Sequence, residues 1–345
     1  MNNELKIILP AEWEPQSGVM LTWPHRDSDW YETFDEVIPC FVTIAKEIIK
    51  REKLIIVCAN TDEVKSALGD VDYLQIIFRE IYSNDSWARD HGPISIFVNE
   101  IPYLLDFTFN GWGLKFPANY DNLITKQLYD SEAFGSDVAY QSMRQMVLEG
   151  GSIESDGKGT LLTTTECLMS PNRNDYKSRL EIDEYLKMLF AAERVLWLNH
   201  GYLSGDDTDS HIDTLARFCN ENTIAYVQCT DESDEHYEEL KLMEEQLKTF
   251  KTAEGKPYEL IALPMTKAVY YKEERLPATY ANFLIINDAV LMPAYGGFED
   301  DDAAKALQKA FPEREIIAID CLSLIKQHGS LHCVTMQFPK GFIKE

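Results

Sequence analysis

A chain of 345 residues with 45% hydrophobic and 11% aromatic side chains can build a substantial core, which excludes a disordered class. Its 58 Asp and Glu against 32 Lys and Arg leave a net charge of −26; such a field argues against nucleic acid or membrane as partner and suits a cationic small molecule. No apolar run reaches the ~18 residues that span a bilayer, and the start MNNELKIILPAEWEP lacks the pattern of a secretory signal, so a cytoplasmic protein is expected.

In chain order, SGVMLTW (17–23) reads as a strand, and Val37, Phe41, Ile44, Ala45, Ile48 and Ile49 give residues 30–52 helical spacing. LIIVCA (54–59) is a continuous apolar run, a strand buried on both faces, and a short helix (62–68) and the strand LQIIF (74–78) follow. From there a pattern repeats. PISIFVN (93–99) and IPYLLDF (101–107) form a hairpin, ahead of a helix near 121–131 and the strand QMVL (145–148). GSIES (151–155) and TLLTTT (160–165) flank the turn signal Asp156-Gly157, before a helix (177–191) and RVLWLN (194–199). The third unit is TLARFCN (214–220), TIAYVQ (223–228), a helix (234–250) and ELIALP (259–264). The fourth is NFLIIN (282–287) and AVLMP (289–293) around Asn287-Asp288, a helix (301–311) and EIIAID (315–320).

A last strand, LHCVTMQF (331–338), has no hairpin partner of its own. SGVMLTW supplies one, and the first helix and LIIVCA then complete a fifth unit. Five strand-strand-helix-strand units without a Pro/Gly/Ser-rich linker predict a single α/β domain over residues 1–345, a five-bladed propeller-like array around a pseudo-five-fold axis. The acidic stretches 231–246 and 298–302 read as solvated helix starts. Seven cysteines (40, 58, 167, 219, 229, 321 and 333), with no CxxC pair, are not expected to form disulfides in the cytoplasm, and most lie in apolar runs as core.

Reactive residues recur at one phase of the repeat, just ahead of or at the start of each unit's first strand. They are Asp90 in NDSWARDHGP, Glu149 in VLEGGS, His211 and Asp213 in SHIDTLARF, Asn282 in LPATYANF, and Cys333 in KQHGSLHCVTMQF. If the units surround an axis, these positions converge on one pocket. Three carboxylates facing one another are costly unless a cation lies between them, and a planar guanidinium or amidinium pairs with carboxylates through parallel hydrogen bonds. Cys333 can then attack the central carbon as a thiolate, while His211 protonates the departing ammonia and later takes a proton from water. The product is a ureido compound, formed through an S-alkylthiouronium on Cys333. The same carboxylates should raise the thiol pKa in the empty site, so that the cationic substrate helps to ionise it.

NDSWARDHGP, VLEGGSIESDG, SHIDTLARF and SLHC, in this order, resemble agmatine deiminases and the related bacterial peptidyl-arginine deiminases, members of the guanidino-group-modifying (pentein) superfamily. The resemblance runs from PAEWEPQSGVMLTWP to the final cysteine strand. It implies a five-bladed α/β-propeller and hydrolysis of agmatine to N-carbamoylputrescine and ammonia without a cofactor or a metal. It further implies Cys333 as nucleophile, His211 as acid/base, Asp90, Asp213 and Glu149 as guanidinium ligands, and Trp87 as a lining tryptophan; relatives are often homodimers. HGSLHC departs from the Gly-rich turn that usually precedes His-Cys in agmatine deiminases.

Blander readings stand beside these. Trp87 and Trp112 also fit as core aromatics, Asn282 as a turn cap, Glu149 as a turn residue, and Asp90 as the salt-bridge partner of Arg89. His332, next to Cys333 on the predicted strand, should point away from it and be structural. His25, His91, His200, His236 and His328 show no partner pattern. Free arginine and peptidyl-arginine are alternative substrates, and a non-catalytic binding module or a metal site of Cys333, His211 and the carboxylates are alternatives of another class.

Overall fold

The computed structural model describes residues 5–175 and 178–344; residue 177, where the predicted second-unit helix starts, lies outside them. The architecture is mixed α/β, and the five predicted units are all present. Unit one pairs Ile94–Val98 with Ile101–Thr108 antiparallel and Ile101–Thr108 with Ala139–Val147 parallel, the helix Asp121–Asp130 making the crossover. Unit two repeats this with Ile153–Ser155, Thr160–Thr164, the helix Arg179–Phe190 and Arg194–Leu198. Unit three uses Ala216–Asn220, Thr223–Gln228, Tyr237–Leu247 and Glu259–Pro264. Unit four uses Leu284–Ile286, Ala289–Ala294, Glu299–Ala310 and Glu315–Asp320.

The fifth unit is made from both ends of the chain. Thr335–Pro339 runs antiparallel to Gln16–Thr22, which is parallel to Lys53–Cys58 across the helix Phe34–Ile49, and Ile76–Glu80 adds a fourth strand. Ser17 Oγ donates to the Pro339 carbonyl at 2.8 Å, across 322 positions of sequence. Each crossover packs a helix on its sheet: Val37, Phe41, Ile44 and Ile48 of the first helix are fully buried in one cluster with Leu54 and Ile56.

Local chemistry explains the turns. Asn99 and Glu100 both take positive φ (49° and 68°), the left-handed pair that a two-residue hairpin loop needs. Asp156 caps its own turn by accepting from Lys158 N and Thr160 N, each at 2.8 Å. The acidic stretches do open helices: Glu299, Asp300, Asp301 and Asp302 fill the first turn of Glu299–Ala310, where the helix dipole favours them.

Some elements differ from expectation. The strand ending unit one is Ala139–Val147 rather than 145–148; three of its nine residues are exposed and three half-buried, which leaves a weak apolar signal. Three short strands went unpredicted, Ile7–Ile8 against Ile94–Val98 and the hairpin of Tyr270–Tyr271 with Glu274–Arg275. The final strand starts at Thr335, because Thr335 folds back instead, its N and its Oγ donating to the His332 carbonyl at 3.0 and 2.9 Å. Leu331–Val334 is therefore a turn. Among the described residues no helix is long and apolar enough to cross a membrane.

Candidate active site

The segments entering the five units meet in the middle of the molecule. Asp90 lies in the single helical turn Ala88–His91, Glu149 caps the turn Gly150–Ser152, and His211 precedes the turn Ile212–Thr214 that carries Asp213. Asn282 and Cys333 stand just ahead of Leu284–Ile286 and Thr335–Pro339. Backbone bonds tie these segments together: Arg89 N donates to the Cys333 carbonyl at 3.1 Å, and His332 N to the Asn282 carbonyl at 3.2 Å.

The two glycines after Glu149 are what let the segments approach so closely. A Cβ on Gly150 would lie 2.3 Å from the Arg89 carbonyl. One on Gly151 would lie 2.6 Å from His211 Nδ1, 2.8 Å from Asp90 Oδ1 and 3.2 Å from Asp213 Oδ2, so Gly151 sits where three of the predicted site residues converge.

Cys333 Sγ lies 3.9 Å from Asp213 Oδ2 and 3.4 Å from Asn282 Oδ1, which also accepts from His332 N (2.9 Å) and Cys333 N (3.3 Å). Asn282 thus holds the turn that presents the thiol. Asp90 accepts from Gly151 N at 3.1 Å and Trp112 Nε1 at 3.0 Å, and faces His211 Nδ1 at 3.6 Å. Both ring nitrogens of His211 and Asp213 Oδ1 are buried without a hydrogen-bond partner, an arrangement costly enough to mark atoms reserved for a ligand. Glu149 is already engaged: Arg173 Nε lies 2.9 and 3.1 Å from its two oxygens, with both side chains fully buried.

Charge follows this geometry. Burial pushes Asp90 up to about 6, against the opposing pull of His211, with Asp213 adding to the rise. Burial lowers the tendency of His211 to hold a proton, but Asp90, Cys167 and Glu149 around it raise its pKa to about 10. Burial and then the charges of Asp213 and Asp90 drive the Cys333 thiol well above its ordinary range. Near neutral pH the site therefore holds a protonated Cys333 thiol, an imidazolium on His211 and carboxylates on Asp213 and, above about pH 6, Asp90.

Above the thiol opens a cavity of about 140 Å³, with Asp90 and Cys333 at its floor and Trp87, Trp112 and Phe116 among its walls. Trp87 is fixed by donating Nε1 to Asp85 Oδ2 at 3.0 Å, and Gly329 packs flat against its ring, where a Cβ would come within 2.1 Å. Asp29, Asp85 and Asp207 line the same cavity, and burial raises Asp85 to about 6.

All the predicted site residues except Glu149, which faces Arg173, and His211, which faces Asp90, thus touch Cys333, its immediate partners or the cavity. The expectation that His332 points away from Cys333 is corrected. Because residues 331–334 turn instead of extending, His332 Nδ1 reaches Asp213 Oδ2 at 2.7 Å, the oxygen nearest Cys333 Sγ, and its Nε2 reaches Glu12 Oε2 at 2.8 Å. His328, unassigned from sequence, lines the cavity. Asp85, Asp29, Asp207, Arg173 and Glu12 were missed, although Asp85, two residues before Trp87 in NDSWARDHGP, and Glu12, in PAEWEPQSGVMLTWP, stood inside stretches that carry the resemblance. Among the described residues, Glu149/Cys167/His211 and Glu12/Glu154/His332 are spaced to hold a metal ion. In both clusters the carboxylates already face a guanidinium, Arg173 or Arg217, which a cation would have to oppose.

Comparison with known proteins gives the following likenesses. The family model described as Porphyromonas-type peptidyl-arginine deiminase matches residues 8–339. A crystal structure from Porphyromonas gingivalis, provisionally named an arginine deiminase, is 52% identical, covers 98% of this chain and 100% of its own, and has a TM-score of 0.95. A C. jejuni agmatine deiminase solved with substrate bound is 38% identical over 99% of this chain and 98% of its own, with a TM-score of 0.92. The agmatine deiminase of Medicago truncatula is 32% identical, covering 96% of each chain.

Proposed function

The chain belongs to the Porphyromonas-type peptidyl-arginine deiminase family, and from that membership we propose that it is a hydrolase of guanidino groups acting on agmatine, releasing ammonia and N-carbamoylputrescine. The observation that carries agmatine over its rivals is the lining of the cavity. Asp29, Asp85 and Asp207 stand above Asp90 and Cys333, and no Arg or Lys is among the described lining residues. Agmatine brings a cation at each end; free arginine would bring its α-carboxylate among these acids, a like-charge contact that disfavours it.

The chemistry assigned to each residue is as follows. The guanidinium lies between Asp90 and Asp213, with the unpartnered Asp213 Oδ1 accepting one of its N–H groups. Its positive charge offsets the carboxylates that hold the Cys333 proton, so the thiolate forms as substrate binds. Sγ attacks the central carbon and a tetrahedral adduct forms. Its C–N bond breaks as His211 gives a proton to the leaving ammonia, leaving the S-alkylthiouronium. Neutral His211 then takes a proton from water, whose oxygen bonds to the same carbon, and the C–S bond breaks to return the thiolate; the O-protonated product gives its extra proton to the released ammonia, leaving the neutral ureido compound and ammonium. Glu149, held in place by Arg173, helps His211 to keep its proton. Trp87 and Trp112 flank the alkyl chain.

We also read the five sheets as the blades of one α/β-propeller domain around a pseudo-five-fold axis; the convergence of the five entry segments on one site supports this. All seven cysteines are free thiols, which suits a cytoplasmic enzyme. Ammonia release from agmatine, arginine and a blocked arginyl peptide ranks the substrates. Agmatine should lead, and turnover of none of them would sink the assignment.

A further inference from the structure

We propose that His332 and Glu12 form a buried relay that positions Asp213, so that one carboxylate oxygen is held for the protein and the other is left for the guanidinium. The proposal rests on the guanidino-hydrolase assignment of this site but concerns residues outside its reacting groups.

The geometry is continuous. Asp213 Oδ2 meets His332 Nδ1 at 2.7 Å, and His332 Nε2 meets Glu12 Oε2 at 2.8 Å. Glu12 is anchored in turn from three directions. Its Oε2 accepts from Arg217 Nη2 at 2.9 Å, Arg89 Nη2 stands 3.8 Å from the same oxygen, and its Oε1 accepts from Ile285 N at 2.7 Å. Arg217 is held by Glu154 and by the Phe283 carbonyl at 2.6 Å. Every member is nearly or wholly buried. Asp213 Oδ1, on the side away from the ring, is left without a hydrogen-bond partner, as is Arg89 Nη2.

The ring bridges two carboxylates, one at each nitrogen. Burial would raise both carboxyl pKa values, yet the hydrogen bond and charge of His332 hold Asp213 below its ordinary range, and Arg217 and His332 do the same for Glu12. Asp213 is also faced by His211, Asp90, Cys333 and the more distant Arg89 and Arg217. Of these, only His332 bonds its side-chain carboxylate within 3 Å. The relay therefore has two consequences. It keeps Asp213 ionised in a site with no substrate cation, and it fixes the rotation of the carboxylate so that Oδ1 faces the ligand. His332 touches no reacting atom and acts by positioning Asp213.

Two variants separate these effects. The Asn amide in His332→Asn falls near the place of Nδ1 and keeps a neutral donor to Asp213, whereas Gln in His332→Gln reaches towards Glu12 and abandons Asp213. The readout is the rate at which Cys333 is alkylated by chloroacetamidine, a small cation, divided by the rate for neutral chloroacetamide. Thiol ionisation is common to both reagents and drops out of the ratio. In the wild type, the ratio should fall below about pH 6, where Asp90 and Asp85 titrate. In both variants the fall should be steeper by about one further power of ten per pH unit as Asp213 joins them. The plateau ratio should drop by at least about tenfold in His332→Gln, the equivalent of one charge-assisted hydrogen bond, and by less in His332→Asn. Variants that melt at lower temperature but keep the wild-type slope and plateau would reduce His332 to a core residue and overturn the proposal. A wild-type enzyme with no preference for the amidine would instead refute the site as a guanidinium pocket.

Discussion

Replacing Trp112 by Phe isolates a single hydrogen bond. The indole Nε1 donates to Asp90 Oδ2 at 3.0 Å, and both residues are buried. Phe retains a ring for the edge contacts to Phe109, Phe116 and Trp87, whose centroids lie 4.9, 5.5 and 6.4 Å away. Losing a buried hydrogen bond to an ionised carboxylate costs about 1.5–3 kcal/mol, with little screening at this depth, and about 1.4 kcal/mol corresponds to one pH unit. Asp90, already pushed up to about 6, should move to about 7–8. Its ionised form is the one that holds the guanidinium, so activity is lost as pH falls through its pKa. The acid limb of kcat/KM for agmatine should shift upward by about one to two pH units, with a loss of about two- to tenfold at pH 7 that closes near pH 9. An unmoved acid limb, or a deficit undiminished at pH 9, would refute the assignment of that limb to Asp90.

Three further outcomes follow from the same geometry. Cys333→Ala should abolish turnover while calorimetry still detects agmatine binding, because the guanidinium ligands Asp90 and Asp213 are untouched. Gly151→Ala should lower kcat by about a hundredfold, since its Cβ would lie 2.6–3.2 Å from His211, Asp90 and Asp213 and displace them; a fully active alanine enzyme would contradict the packing. Arg173→Met strands the buried Glu149 charge and should cost about 3–5 kcal/mol in a denaturant titration. Adding Glu149→Leu should recover most of that stability without recovering activity.

Legibility in the sequence tracked the range of the interactions involved. Strands such as Thr223–Gln228, Glu259–Pro264 and Glu315–Asp320 announce themselves as apolar runs between turn residues, and their bounds agree with the expected ones. Asp90, Glu149, His211, Asp213, Asn282 and Cys333 were visible because each occupies the same place in its unit. The relay was not. His332 sits in a run, LHCVTMQF, whose pattern extends a strand, and only the fold-back of Thr335 onto the His332 carbonyl turns it towards Asp213. Glu12 gave no sign of that role either, since its partners Arg217 and His332 stand 205 and 320 positions away. The acidic mouth is similar: Asp29, Asp85 and Asp207 belong to separate loops that only the closed structure brings to one cavity.

The seam between Thr335–Pro339 and Gln16–Thr22 has a kinetic side. Closing a loop of about three hundred residues costs roughly 5 kcal/mol of chain entropy, so this pairing is expected among the last to form and the first to be lost. Cys333 rides on the same backbone, just ahead of the seam strand. A fluctuation that peels the two chain ends apart would carry the thiol away from Asp213 and Asn282 while the other four units stay folded. Heat inactivation should then run ahead of global melting, and amide exchange along Gln16–Thr22 should keep pace with the loss of activity.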